Sequence, residues 1–275
     1  MNLFSLLAFA VYAAGAVISP IPDDIDIVTT PPPKPDISFG QIVAMPTPDV
    51  LAATTAAPTP VPPPPPLITK KKNYTIAFLG DSMIDTMGPD LPAVQTHLHA
   101  LYSMTNFTLK NFGVGATNLD DAIARIATLA GSHPDIVVLE SCAYNPYPNG
   151  TGVDRHWLAL AKAVDALRSS IPGVKIIIAA TIAPNSTVFG DGAAGISFSA
   201  QEKMERVSVI KQYLDSTVQF AESQHLPLAD AYHASLNAHG DGALTYINTG
   251  DHIHYSDAGR NLFAQKVVHA LEAVL

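Results

Sequence analysis

The chain has 275 residues, of which 48% are hydrophobic, and a formal net charge of −9 at pH 7. This length and hydrophobic content allow one large domain or two small ones with a sizeable core. The negative charge argues against nucleic acid as a partner and against electrostatic docking on anionic lipid, because both need a basic surface.

An uncharged apolar segment opens the chain, from Leu3 to Ile18. It is shorter than the roughly 20 residues that a membrane-spanning helix needs, and it suits the apolar region of a signal peptide. Ala14-Gly15-Ala16 fits the pattern of a cleavage site, although no basic residue precedes the run. We therefore predict a signal peptide or N-terminal membrane anchor over residues 1–18, with a disordered apolar tail as the alternative. The protein would then be extracytoplasmic, either secreted or membrane-anchored at the cell surface.

A proline-rich region follows over residues 19–72 and includes "PPPKPD" and "PTPVPPPPPL". Proline removes backbone donors and favours polyproline II, so this stretch cannot build a packed core. We predict a disordered, semi-rigid linker that holds the next domain away from a membrane or across a wall layer. Recognition by a proline-binding module is the competing use.

Residues 73–275 alternate strand-like and helix-like patterns and are predicted to form one α/β domain. The predicted strands are near-continuous apolar runs, as expected where both faces of a strand are buried; they are Thr75–Leu79, Thr108–Phe112, Ile136–Leu139, Val174–Ala180 and Leu226–Ala229. The predicted helices are Leu91–Met104, Asn118–Gly131, Asp154–Ser170, Ser199–Gln224 and Asp257–Val274. Short β–α connections indicate a parallel sheet with helices on both faces, and such sheets bind ligands beyond the carboxyl ends of their strands.

The first strand ends in Gly80-Asp81-Ser82. Such a triplet by itself is typical of a turn, in which glycine gives freedom and the polar side chains bond to the backbone. It also places a hydroxyl just beyond a strand and near a helix N-terminus, where backbone N–H groups favour developing negative charge. Ser82 is therefore a candidate nucleophile that still needs a base.

A candidate base lies near the other end of the chain, in "GDHIHYSDAG". The D-x-x-H spacing lets one loop supply both His254 as general base and Asp251 as the carboxylate that holds its tautomer. His252 is the rival base in the same loop. A zinc site is disfavoured, because His252 and His254 supply only two ligands and Cys142 is the one cysteine of the chain, which also excludes an intrachain disulfide.

Two further loops offer donors for an oxyanion. "NFGVGATN" follows the second strand, and either Gly115 or Gly113 could point an N–H at a reacting group. "VVLESCAYNPY" contains the third strand and ends near Asn145, whose side chain could add another N–H. Ordinary turns explain either loop equally well when it is considered alone.

The order of these loops resembles the SGNH (GDSL-like) hydrolase family over residues 75–275. The resemblance matches "GDSM" to the nucleophile block at Ser82 and "NFGVGAT" to the oxyanion glycine at Gly115. It matches "AYN" to the oxyanion asparagine at Asn145, and "DHIH" to the acid and base at Asp251 and His254.

The third block departs from the family pattern Gly-x-Asn-Asp. Ala143 stands where the family has glycine, and Pro146 stands where it has the acid. This departure puts the position of the Asn145 amide in question.

The resemblance implies a flavodoxin-like three-layer α/β/α sandwich with a parallel five-stranded sheet. It implies a serine esterase with a Ser82–His254–Asp251 triad, an oxyanion hole of Ser82, Gly115 and Asn145, and no cofactor or metal. Export and a spacer favour acyl esters, acetyl esters foremost, on a carbohydrate or cell-wall polymer, and the small, polar loop over residues 185–200 suits a sugar. An O-acyltransferase that uses the same site and a non-catalytic binding module are the alternatives.

Overall fold

The structure is a computed structural model that describes residues 73–147 and 152–275. The predictions for residues 1–18 and 19–72 lie outside the described residues. Within the described ranges, no helix combines the length and the apolar character needed to cross a membrane.

Five strands form one parallel sheet in the order β2-β1-β3-β4-β5. They are β1 (Asn73–Gly80), β2 (Asn106–Gly113), β3 (Ile136–Glu140), β4 (Lys175–Ala180) and β5 (Leu228–Asp230). Each predicted strand is confirmed within a few residues. The central strands β1, β3 and β4 are buried over most of their length, which explains why their sequences are apolar without alternation.

The helices form a layer on each face of the sheet. They are α1 (Ser82–Asp85), α2 (Pro92–Leu101), α3 (Leu119–Ala124), α4 (Ile126–Ala130), α5 (Gly152–Ser170), α6 (Ala200–Ser223), α7 (Ala231–Ala234) and α8 (Asp257–Leu271), with a 3₁₀ turn at Leu244–Tyr246. Helix α2 packs on α8 on one face, and α5 packs on α3 and α6 on the other. The predicted three-layer α/β/α sandwich is confirmed.

The predicted helix over residues 118–131 is divided into α3 and α4 at Arg125. Asn118 is the N-cap, as predicted, and forms a capping box with Asp121. Arg125 lies between the two helices with right-handed backbone dihedrals, and its guanidinium donates to the Gly80 carbonyl oxygen at 2.7 Å. The segment between β2 and β3 is thereby attached to the end of β1.

The strand order fixes where a ligand can bind. The chain passes from β1 to one neighbour, β2, and then returns to the opposite side of β1 to form β3. At such a switch point the connections leave the sheet in opposite directions and open a crevice beyond the carboxyl ends of the strands. In this domain the switch point lies at the ends of β1 and β3, where Ser82 and Asn145 follow.

Candidate active site

Ser82 is the first residue of the short helix α1, directly after β1. Asp81 caps this helix: its Oδ1 accepts the Met83 N–H at 2.8 Å. Since the first N–H groups of a helix have no partner within it, the Ser82 N–H is not used by α1. A Cβ at Gly80 would lie 2.5 Å from the Ile84 side chain, so the turn closes only with glycine there. The sequence did not predict α1, because one helical turn leaves no periodic pattern.

The two candidate glycines of the second loop have different surroundings. The Gly113 N–H donates to Asn111 Oδ1 at 2.8 Å, and a Cβ at Gly113 would lie 2.2 Å from the Asp85 backbone nitrogen. A Cβ at Gly115 would instead lie 3.8 Å from the Cβ of Ser82. Gly113 is thus packed under α1 with its donor occupied, and Gly115 lies beside Ser82.

Asn111 holds this arrangement together and was not singled out in the sequence. Its side-chain amide donates to the carbonyl oxygens of Ile84 and Gly88, at 2.9 and 2.8 Å. One asparagine at the end of β2 therefore fixes both α1 and the loop after it. Nothing in the local sequence separates this residue from an ordinary strand residue, because its partners lie more than 20 residues away in the chain.

Asn145 follows β3 in a tight turn. Its backbone N–H donates to the Cys142 carbonyl oxygen at 3.1 Å, and Cys142 has a φ of 50°. Its side-chain Nδ2 donates to Asp81 Oδ2 at 2.8 Å. The loop with the unusual "AYNP" sequence therefore brings the Asn145 amide to the residue that precedes Ser82.

Asp251 and His254 form a hydrogen-bonded pair in the loop before α8. Asp251 Oδ2 lies 2.8 Å from His254 Nδ1, and Asp251 Oδ1 accepts the N–H groups of Ile253 and His254 at 2.9 and 3.0 Å. Partial burial acts to raise the pKa of Asp251, but the hydrogen bonds from His254 and Ile253 outweigh it and hold the pKa at about 2. Asp251 is therefore ionised at neutral pH and accepts the Nδ1 proton of His254, which leaves Nε2 as the basic nitrogen.

His252, the rival base, has a different partner. Its Nδ1 lies 2.7 Å from the backbone carbonyl oxygen of Asp191, in the loop after β4. Gly192 in that loop has a φ of +85°, and a Cβ there would lie 2.4 Å from the Gly250 carbonyl oxygen. His252 and Gly250 thus attach the Asp251–His254 loop to the loop after β4.

The loops that carry the candidate residues converge on Asp81. It bonds to Asn145, and burial raises the pKa of Asp81, an increase that its hydrogen bonds and the nearby His254 oppose. Farther along α8, Arg260 Nε donates to the Thr86 carbonyl oxygen at 3.1 Å and ties the last helix to the loop after α1. Asp81 was treated in the sequence as part of a turn, and its tertiary contacts are visible only in the structure.

Glu140, at the end of β3, is the second residue that the sequence did not single out. Its side chain is fully buried next to Asp81 and Cys142, and the nearest ligand atoms of these three residues lie within 4.8 Å of one another. Backbone N–H groups already donate to both carboxyl groups, so this cluster is better matched to hydrogen bonding than to a metal ion. An acid at the end of an uninterrupted apolar strand was the available signal.

Two further side chains near the site or in the helices, a cysteine and a tryptophan, have structural roles. Cys142 is buried, and burial raises the pKa of its thiol well above the usual range, so it is unsuited to act as a thiolate nucleophile. Trp157 is half-buried against the core and packs edge-on on Phe220, with ring centroids 5.3 Å apart.

The sheet order and the loops at its carboxyl edge are those of an SGNH-type α/β domain. The sequence model of the GDSL-like lipase/acylhydrolase family matches residues 78–262. Because this match covers more than half of the chain, the chain belongs to that family. The resemblance seen in the sequence is confirmed, and membership supports an ester-hydrolysing enzyme.

Solved structures share the fold at low sequence identity. A lipase/acylhydrolase from Enterococcus faecalis has a TM-score of 0.56 and 17% identity, covering 74% of this chain and 97% of that chain. A GDSL-like lipase from Bacteroides thetaiotaomicron has a TM-score of 0.55 and 12% identity, covering 74% and 89%. The acetyl xylan esterase AlAXEase has a TM-score of 0.54 and 20% identity, covering 72% and 99%. No curated protein matches the chain in sequence.

Proposed function

We propose that the protein is an extracytoplasmic serine esterase that removes acyl groups, acetyl groups foremost, from a carbohydrate or cell-wall polymer. The observation that carries the proposal is the Asp251–His254 hydrogen bond, in the loop before α8, the helix whose Arg260 bonds to Thr86 just after the helix of Ser82. A carboxylate-bound imidazole next to a serine is the arrangement that activates a hydroxyl for acyl transfer.

In the first half of the reaction, the Ser82 hydroxyl attacks the ester carbonyl while His254 Nε2 takes its proton. Asp251 keeps the Nδ1 proton in place and stabilises the imidazolium that forms. The tetrahedral intermediate then expels the alcohol, which leaves with the proton from His254, and an acyl-serine remains. Water, activated by the same imidazole, releases the acyl group in the second half.

Three donors are proposed for the oxyanion: the N–H groups of Ser82 and Gly115 and the side-chain Nδ2 of Asn145. Gly115 is preferred to Gly113 because the Gly113 N–H is bonded to Asn111. Asn145 Nδ2 carries two hydrogens, one of which is donated to Asp81, so the other remains for substrate. Each such donor typically lowers the barrier by about 3–4 kcal/mol.

The substrate proposal has support that is independent of the triad. The loop after β4, with Gly190, Gly192 and Gly195, adjoins the Asp251–His254 loop and is rich in small and polar residues. One solved structure of the same fold is named as an acetyl xylan esterase. The predicted export segment and linker, read from the sequence, fit a polymer outside the cytoplasm.

The experiment compares the full-length chain with its Ser82→Ala variant on 4-nitrophenyl acetate and on O-acetylated xylan. We expect Ser82→Ala to lose at least ~10³-fold in kcat and to lose labelling by a fluorophosphonate probe. Ser103→Ala, at an exposed position after α2, is the matched control and should retain both. Hydrolysis by Ser82→Ala at the wild-type rate would exclude the serine mechanism, and a preference for long-chain esters over acetylated xylan would exclude the glycan substrate.

A further inference from the structure

Two acidic side chains are buried together beneath Ser82, although the reaction uses neither directly. Asp81 and Glu140 end the neighbouring strands β1 and β3, and both are 0% exposed. Their closest carboxyl oxygens lie within 4.8 Å of each other, and the Asp81 N–H donates to Glu140 Oε2 at 3.4 Å. Two buried carboxylates this close repel each other, which favours a single proton shared by the pair.

The contacts of Asp81 favour its ionised form. Oδ1 accepts the N–H of Met83 and Oδ2 accepts the side-chain amide of Asn145, both at 2.8 Å. Burial raises the pKa of Asp81, but these two hydrogen bonds and the nearby charge of His254 oppose the increase.

Burial and the neighbouring carboxylate favour the neutral form of Glu140, and they oppose its hydrogen bonds. Burial raises the pKa of Glu140 well above its usual range, and the charge of Asp81 raises it further. Hydrogen bonds from the Ser141 hydroxyl at 2.8 Å and the Cys142 N–H at 3.0 Å only partly offset these effects. Two buried carboxylates at this distance cannot both ionise, so the pair carries one proton, and Glu140 is its holder.

The remaining titratable groups around Glu140 do not compete for this proton. They are Cys142, Tyr144 and Tyr255, all buried and each with a pKa that burial raises well above its usual range. The nearby cation is Arg125, whose guanidinium is directed at the Gly80 carbonyl oxygen. His254 acts on the pair from the Asp81 side.

The charge on Asp81 decides how the Asn145 amide is oriented. A carboxylate accepts only, so the amide must turn its Nδ2 towards Asp81, and the second hydrogen of Nδ2 stays available to the substrate. A neutral Asp81 could instead donate to the Asn145 carbonyl oxygen. The amide could then flip and present that oxygen to the developing oxyanion, which would oppose catalysis.

We propose that Glu140 is a positioning residue that acts through Asp81 on Asn145. As the neutral member of the pair it donates to Asp81, keeps Asp81 ionised and so holds the oxyanion-binding face of Asn145 towards Ser82. This role rests on the proposed function. It also explains how the amide is fixed where Ala143 and Pro146 replace the glycine and acid of the family pattern.

The activity test is a mutant cycle on 4-nitrophenyl acetate with Glu140→Met, Glu140→Gln and Asn145→Ala. Glu140→Met keeps the length of the side chain but cannot donate, and we expect kcat to fall ~10–100-fold with little change in KM. Glu140→Gln keeps a neutral donor and should restore kcat to within about fivefold of wild type. In the Asn145→Ala background, adding Glu140→Met should lower kcat by less than about threefold, because the amide that Glu140 positions is absent. Equal losses in both backgrounds, or a Gln variant as poor as Met, would overturn the proposal.

The proton itself is tested without activity, by the stability of wild type and Glu140→Gln between pH 5 and 8. A proton held only in the folded state makes the wild-type unfolding equilibrium constant rise by up to about tenfold per pH unit relative to Glu140→Gln. Parallel pH profiles would show that Glu140 is ionised and would end the proposal, even if Glu140→Met fails to fold. If Ser82→Ala stays active while these profiles diverge, the serine mechanism fails and the proton assignment survives.

Discussion

The two halves of the candidate site are held in different ways. The turn at Ser82 is fixed by buried tertiary contacts: Asp81 and Glu140 are fully buried, and Gly113 lies directly under α1. The loop with Asp251 and His254 is partly exposed, and its hydrogen bonds lie within its own few residues and to the neighbouring loop after β4. A change in the turn should therefore reduce stability and activity together, whereas a change in the loop should reduce activity alone.

The largest expected effect comes from the loop. Asp251→Asn preserves size but removes the negative charge that holds the His254 tautomer, so kcat should fall ~10⁴-fold. Because the Asp251 side chain is 28% exposed, the unfolding temperature should drop by less than about 4 °C. The measurement is kcat on 4-nitrophenyl acetate together with calorimetry at pH 7. A collapse in stability of the same size as the loss of activity would contradict the distinction between loop and turn.

A change in the turn at Ser82 should reduce stability as well as activity. In Gly113→Ala the new Cβ would lie 2.2 Å from the Asp85 backbone nitrogen, which cannot move without displacing α1. We expect a cost of about 3 kcal/mol or more, or a fall in unfolding temperature of about 6–12 °C, with loss of activity.

Gly115→Ala is the matched control for stability. Its nearest contacts would be at 3.8 Å, an ordinary van der Waals distance, so thermal unfolding should stay close to wild type. Equal unfolding temperatures for the two alanine variants would show that α1 can shift freely and that the turn is not rigid.

Sequence patterns predicted the part of the molecule that depends on local or periodic information. The five strands are apolar because they are buried on both faces, and the pairing of Asp251 with His254 depends on a spacing of three residues in one loop. The patterns could not predict the role of Glu140. The acid after "IVVL" marks the position as unusual, but its role depends on Asp81, which follows the neighbouring strand.

The same limit explains α1 and Arg125. A four-residue helix produces no periodicity, and the contact of Arg125 is to the Gly80 carbonyl oxygen, 45 residues away in sequence. The roles of Glu140 and Arg125, which depend on distant partners, were thus missed, whereas the Asp251–His254 pair within one loop was predicted and is hydrogen-bonded.

The smallest predicted effect tests the contrast between turn and loop most directly, because the stabilities that Glu140 and Asp251 contribute should change with pH in opposite directions. Asp251 has a pKa lowered from 3.8 to about 2, so its contribution is present above pH 4 and disappears as the pH falls through 2. If Asp251 were fully buried, this pKa shift would correspond to about 2.5 kcal/mol of folding stability, and its partial exposure reduces that contribution to about 1 kcal/mol. The stability difference between wild type and Asp251→Asn should therefore shrink between pH 4 and pH 2.

Glu140 has a raised pKa, so its contribution is complete below pH ~4.3 and is lost as the pH rises. Chemical denaturation of wild type, Asp251→Asn and Glu140→Gln across pH 2–8 measures both slopes. Slopes of the same sign would mean that the two acids share one environment, and the contrast between buried turn and exposed loop would fail.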